Sequence, residues 1–143
     1  MLVDQILDTK GRDVATVTPD ATIADAVAAL ATHNVGALVV SADGSTVDGI
    51  VSERDIVRGL ADGPEVLHRT VADVMATEVA TCHGRSDIRQ LAEMMTAGRF
   101  RHMPVIADGA LAGIVSIGDV VKARIDELAT ETQQLVGYIQ HGR

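Results

Sequence analysis

Two segments of the chain place a hydroxyl and a carboxylate at the same spacing. They are Gly49-Ile50-Val51-Ser52-Glu53-Arg54-Asp55 and, 64 residues later, Gly113-Ile114-Val115-Ser116-Ile117-Gly118-Asp119. Each reads as a buried strand that ends at its serine and turns into a helix. The serine then stands at the helix N-cap and the aspartate in the first turn, so that both can satisfy free backbone N–H groups in a capping box. One copy needs no more explanation than a capped helix. Two copies in 143 residues also make a binding site a reading to weigh.

Composition narrows the function classes. A hydrophobic content of 47% is enough for a core, and one compact domain or two small repeats fit the length. Phe100 and Tyr138 are the only aromatic residues, so the core is aliphatic and no stacking platform for single-stranded nucleic acid exists. A formal net charge of -8 and a pI near 4.9 argue against direct binding to a phosphate backbone. Cys82 is the single cysteine, which excludes an intrachain disulfide and suits a reducing compartment. The first ten residues carry Asp4 and Asp8 without a basic n-region, and no apolar run approaches a membrane span. The expectation is a soluble, cytoplasmic protein.

The elements that position the two motifs recur in order. Leu2–Leu7 reads as a helical turn burying Leu2, Ile6 and Leu7. Val14–Val17 reads as a strand closed by Thr18-Pro19-Asp20. Ile23, Ala26, Val27 and Leu30 have helical spacing within a helix from Thr22 to His33, capped by Thr22 with Asp25. Ala37–Val40 and Val47–Val51 form a hairpin-like pair around Asp43-Gly44, and a helix over Glu53–Leu60 follows. Asp62-Gly63-Pro64 ends the unit. Val71–Met75, Val79–Thr81, Ile88–Thr96, Met103–Ile106 and Leu111–Val115 then repeat the series, with Asp108-Gly109 matching Asp43-Gly44. An ordered series of this kind is an internal duplication. The expected architecture is α/β (α+β): two β-α-β-β-α repeats, 1–64 and 65–130, packed sheet to sheet with pseudo-two-fold symmetry, and a helical extension over 131–143.

In this order the chain resembles a tandem pair of CBS domains, the family named after cystathionine β-synthase, of the small stand-alone type. The resemblance rests on Thr18-Pro19-Asp20 and the helix after it, His33-Asn34-Val35-Gly36-Ala37-Leu38-Val39-Val40, Arg99-Phe100-Arg101-His102-Met103-Pro104-Val105 and the two Gly-Ile-Val-Ser-x-x-Asp segments. It implies clefts between repeats that bind adenosine-containing ligands, with the serine and aspartate holding the ribose. An aspartate can accept from both ribose hydroxyls. Two sites are implied. The favoured one joins Ser116 and Asp119 to Thr9, Val14, Val35 and Gly36, with Arg101 and His102 for phosphate. The second joins Ser52 and Asp55 to Thr77, Val79, Phe100 and Arg101. The lead-in to the first repeat is about three residues longer than its counterpart, which makes Thr9 the loosest match.

Charge and spacing refine this. Arg99-Phe100-Arg101-His102 is a basic cluster whose counterpart Asn34-Val35-Gly36-Ala37 is uncharged. Strand alternation there would set Arg99 and Arg101 against Phe100 and His102. The cluster is either a solvated turn or a phosphate grip. The acidic net charge favours AMP over ATP, with NAD(H) also possible. Gly118 leaves room for an anion at a helix N-terminus, whereas Arg54 is expected to pair with Glu53 or Asp55 on the surface. No His-x-x-x-His or Cys-x-x-Cys spacing suggests a metal, and no nucleophile motif suggests an enzyme or a catalytic cofactor. The last helix carries Val121, Ile125, Leu128, Thr132, Leu135 and Ile139 at heptad-like spacing. It either lies on its own module or packs on a second chain, and the resemblance implies a homodimer. The function expected is regulatory: an adenine nucleotide alters dimer shape or contacts with an unknown regulated protein. The alternative is a ligand-free structural or dimerisation module.

Overall fold

In the computed structural model, which describes residues 1–141, the chain forms two pseudo-symmetric repeats, the first a β-α-β-β-α unit with a three-stranded sheet and the second an α-β-β-α unit with a two-stranded sheet. Residues 142 and 143 of the expected extension lie outside the described residues. In the first repeat α1 spans Val3–Lys10, β1 Thr16–Val17, α2 Ile23–His33, β2 Ala37–Val40, β3 Gly49–Ser52 and α3 Glu53–Ala61. A 3-10 turn over Pro64–His68 leads to α4 Val71–Val74, α5 Ile88–Gly98, β4 His102–Ala107, β5 Ala110–Ser116 and α6 Ile117–His141.

Local chemistry sets these boundaries. Thr22 caps α2: its hydroxyl accepts from the Asp25 N–H at 3.1 Å, and Asp25 accepts from the Thr22 N–H at 3.2 Å. Asn34 ends that helix in the left-handed conformation, at φ 53°. Asp87 caps α5, and Arg99 ends it at φ 55°. β1 runs parallel to β2, which pairs antiparallel with β3. In the second repeat β4 and β5 form a tight hairpin whose turn, Asp108-Gly109, has positive φ at both residues. The expected strand at Val79–Thr81 does not form; the next residue, Cys82, makes an isolated parallel bridge to Val105. The expected strand at Val14–Val17 keeps only Thr16 and Val17.

The leading helix of each repeat packs on the other repeat. Val3, Ile6 and Leu7 of α1 are buried with Leu91, Met103 and Val115, while Val66 and Val71 before and within α4 join Ile23, Leu38 and Val51. Paired backbone bonds hold both junctions. The Val3 N–H donates to the Ser86 carbonyl at 3.0 Å and the Val71 N–H to the Ala21 carbonyl at 2.7 Å. The Ile88 N–H donates to the Met1 carbonyl and the Ile23 N–H to the Arg69 carbonyl. Each buried aliphatic side chain contributes about 1.5–3 kcal/mol, so the exchanged helices are a substantial part of both cores.

Two expected core positions are corrected. α1 starts at Val3, so its i, i+3, i+4 face is Val3, Ile6 and Leu7, and Leu2 stands outside the helix and exposed. On α2 the inward face is Ile23, Ala26 and Leu30, and Val27 lies on its flank, exposed. The stripe on α6 is exposed from Val121 through Ile139, the polar Thr132 within it included, while Val120 and Ala123 face the core.

Candidate functional site

Both Ser/Asp motifs form the capping boxes their spacing requires. The Ser52 hydroxyl accepts from the Asp55 N–H at 3.3 Å, and Asp55 Oδ2 accepts from the Ser52 N–H at 2.9 Å and from the Ser52 hydroxyl at 3.0 Å. Ser116 accepts from the Asp119 N–H at 3.2 Å, and Asp119 Oδ2 accepts from the Ser116 N–H at 2.9 Å. The carboxylates then part company. Asp119 is ion-paired to Lys10 at 2.7 Å, whereas no Lys, Arg or His pairs with Asp55 among the described residues.

The larger cleft, ≈ 310 Å³, opens beside Ser52 and Asp55. Ile50, Ala76 and Phe100 give it apolar walls. Reciprocal backbone bonds between Ile50 and Ala76, 3.0 and 2.9 Å, fix the wall where the second repeat begins. Gly36 at the head of β2 and His102 at the head of β4 close one side, where the two sheets meet. Arg54, Arg58, Arg99 and Arg101 border the same space, against Glu53 and Asp55. The lining therefore carries two net positive charges in an acidic protein.

The local fold explains this clustering. The segment Arg99–His102 does not alternate as a strand, because Arg99 is the left-handed cap of α5 and β4 starts only at His102. All four residues consequently border one cleft. Arg54 does not pair with Glu53 or Asp55. Its Nη1 donates to the Arg99 carbonyl at 3.0 Å, tying the first repeat's motif to the basic cluster of the second. Burial lowers the pKa of His102, and Lys10 and Arg101 lower it further against the opposing pull of Asp119 and Glu53. Its imidazole is therefore neutral near pH 7.

The expected site residues are distributed as follows. Ser52, Asp55, Phe100 and Arg101 meet in the larger cleft as the sequence groups them, but Thr77 and Val79 do not border it. Gly36 and His102, grouped by sequence with Ser116 and Asp119, also border this cleft. Beside Asp119 lies a smaller cavity of ≈ 130 Å³, bordered by Thr9, Lys10, Lys122 and Asp126. Val14, Val35 and Ser116 border neither space. For Asp119 burial raises the pKa, but the Lys10 ammonium and the Ser116 contacts prevail and hold it below the usual carboxylate range. Lys10 and Arg58 were not singled out from sequence. The signals for them are position: Lys10 follows Thr9 in the lead-in, and Arg58 lies one helical turn after Arg54. Among the described residues no group of three or more His, Cys, Asp or Glu side chains gathers.

A duplicated unit with exchanged leading helices and a capping box at the end of each hairpin, the first of them facing a cleft between the repeats, defines a paired-repeat module. A family model of the CBS domain matches residues 4–62 and 71–126, and the chain belongs to that family. A CBS domain-containing mitochondrial protein of Arabidopsis thaliana is 41% identical over 130 residues, which is 87% of this chain and 63% of that protein's length. The YhcV protein of Bacillus subtilis, also CBS domain-containing, is 30% identical over 131 residues, covering 91% of this chain and 90% of the relative. The crystal structure of a CBS-domain containing protein from Agrobacterium tumefaciens superposes with a TM-score of 0.83 at 51% identity, covering 87% of this chain and 99% of that one. A hexameric CBS-CP12 protein from bloom-forming cyanobacteria superposes at 0.74 with 27% identity, over 85% of this chain and 69% of that one. CBS-domain pairs are generally regulatory modules that bind adenosine ligands. No helix among the described residues is long and apolar enough to cross a membrane.

Proposed function

We propose that this chain is a non-enzymatic regulatory module that binds one class of ligand, an adenosine nucleotide carrying phosphate, in the cleft at Ser52 and Asp55. The observation that carries the reading is the assembly of three features in one cleft: a carboxylate with no basic partner among the described residues, apolar walls and four arginines. Asp55 can accept from both ribose hydroxyls, while Ile50, Ala76 and Phe100 offer the base an apolar slot. The lining's surplus of two positive charges matches the roughly -2 charge of one phosphate group. That balance favours AMP, or the pyrophosphate of NAD(H), over ATP. A cationic adenosine ligand such as S-adenosylmethionine meets the wrong field.

The apolar stripe exposed on α6 supports a homodimer as the assembly through which occupancy would act on a regulated protein. It equally suits the second reading, a ligand-free dimerisation module. The cytoplasm is the compartment that suits either reading, since Cys82 is a buried lone thiol.

Thermal unfolding with AMP, ADP, ATP, NAD+, NADH and S-adenosylmethionine separates the two. At a hundred times its dissociation constant a ligand adds about 2.7 kcal/mol to stability. AMP should raise the midpoint of the wild type and of Asp119→Ala, and leave Asp55→Ala unmoved. No shift with any nucleotide favours the ligand-free reading. A shift that survives Asp55→Ala and vanishes in Asp119→Ala moves the site to the other motif.

A further inference from the structure

The two Ser/Asp motifs have unequal surroundings because the two leading helices have unequal lengths. α4 stops at Val74, so the following chain is extended and its Ala76 backbone reaches Ile50, donating to the Ile50 carbonyl at 2.9 Å. α1 continues to Lys10, and there a side chain takes over that task. Lys10 Nζ donates to the Ile114 carbonyl at 3.0 Å, the counterpart of Ile50, and to Asp119 Oδ2 at 2.7 Å. One ammonium thus bridges the wall and the carboxylate that, in the other cleft, stand apart.

This placement is held from both ends. Lys10 is the last residue of α1, where the helix dipole favours a cation. Its partner is partly buried, with a side-chain exposure of 24%, so the pair is screened less than a surface pair. The ≈ 130 Å³ cavity beside Asp119 lies between α1 and α6, bordered by Gln5, Thr9, Lys10 and Lys122, and Ser116 does not border it.

We infer that Lys10 occupies the ribose position on Asp119 and closes the second cleft, so that each chain binds a single nucleotide although it carries two clamp motifs. The inference rests on the nucleotide reading of the Ser52/Asp55 cleft and adds to it a stoichiometry and the residue that sets it. Ribose hydroxyls reaching Asp119 have to displace the Lys10 ammonium, which has no counterpart at Asp55 among the described residues.

Calorimetric titration with AMP tests this. The wild type should bind one equivalent per chain and Lys10→Met two. Lys10→Arg keeps a cation at the position and should stay at one. In Asp55→Ala binding should be lost, and the Lys10→Met/Asp55→Ala double variant should recover one equivalent. Should the methionine variant fail to fold, Lys10→Gln takes its place. Two equivalents on the wild type overturn the inference alone. So does a folded Lys10→Met that stays at one equivalent, or one that binds more weakly. No binding by any variant overturns the nucleotide reading and the inference with it. Binding by Lys10→Met but not by the wild type supports the closed cleft and overturns the Ser52/Asp55 site.

Discussion

Gly36 faces His102 across the meeting point of the two sheets, and a β-carbon built on Gly36 would lie 3.4 Å from the imidazole Cε1. The next nearest group is the Glu53 carboxyl, whose Cδ is at 3.9 Å. There is room for a methyl group, but it would stand on the edge of the cleft. Gly36→Ala should therefore fold with a stability within about 1 kcal/mol of wild type. It should weaken AMP binding by up to about tenfold, some 1.4 kcal/mol. Unchanged affinity in titration calorimetry would mean the ligand does not reach this side.

Leu7 belongs to the first repeat in sequence and to the second in space. It is buried with Leu91, Met103 and Val115, and its side chain fills the space against Gly113 that a β-carbon there would take. Leu7→Ala should cost about 2–5 kcal/mol in urea unfolding with an unchanged slope. A cost below about 1 kcal/mol would show that the exchanged helix is not part of the core.

His102 gives a pH dependence with a defined sign. Unfolded, its imidazole takes up a proton near pH 6.5. Folded, burial, Lys10 and Arg101 push that uptake to lower pH, outweighing Asp119 and Glu53. The unfolded state thus binds more protons in this window, and stability falls as pH drops below about 6.5. His102→Gln should show a shallower loss of unfolding free energy between pH 7.5 and 5 than the wild type. Equal slopes would show that His102 does not carry the pH dependence.

Along α6, Ile125, Leu128, Leu135 and Ile139 are at least half exposed. If this stripe meets a second copy, light scattering should give the mass of two chains for the wild type. Ile125→Asp/Leu135→Asp should give one, with thermal unfolding of the repeats retained. A dimer that survives both substitutions is built on another face.

Much of this architecture is legible in the sequence because it is written in short-range chemistry. Thr22 with Asp25, and each serine with its aspartate, mark helix starts that appear where their spacing puts them. The Asp108-Gly109 hairpin is likewise local. What escaped depends on long-range placement. Nothing near Leu2–Leu7 says that this helix packs on the other repeat, and Lys10 meets Asp119 across 109 positions of chain. The alternation assumed for Arg99–His102 failed because Arg99 takes a left-handed conformation that asparagine, not arginine, normally advertises. The pairing of Gly36 and His102 with the Ser52 motif follows from where the sheets meet, which periodicity does not encode.

The exchange of leading helices bears on how such a chain could arise. A single repeat ending near Gly63 would expose the face that Val66 and Val71 cover, and its own α1 would have no core to enter. The smallest closed unit is therefore two repeats, on one chain or two. A lone ancestral repeat could have folded only as a pair of molecules trading their first helices, and tandem duplication fuses that pair. Once both halves lie on one chain they need no longer be identical, and one lead-in can grow long enough to deliver a lysine to one clamp while the other stays open.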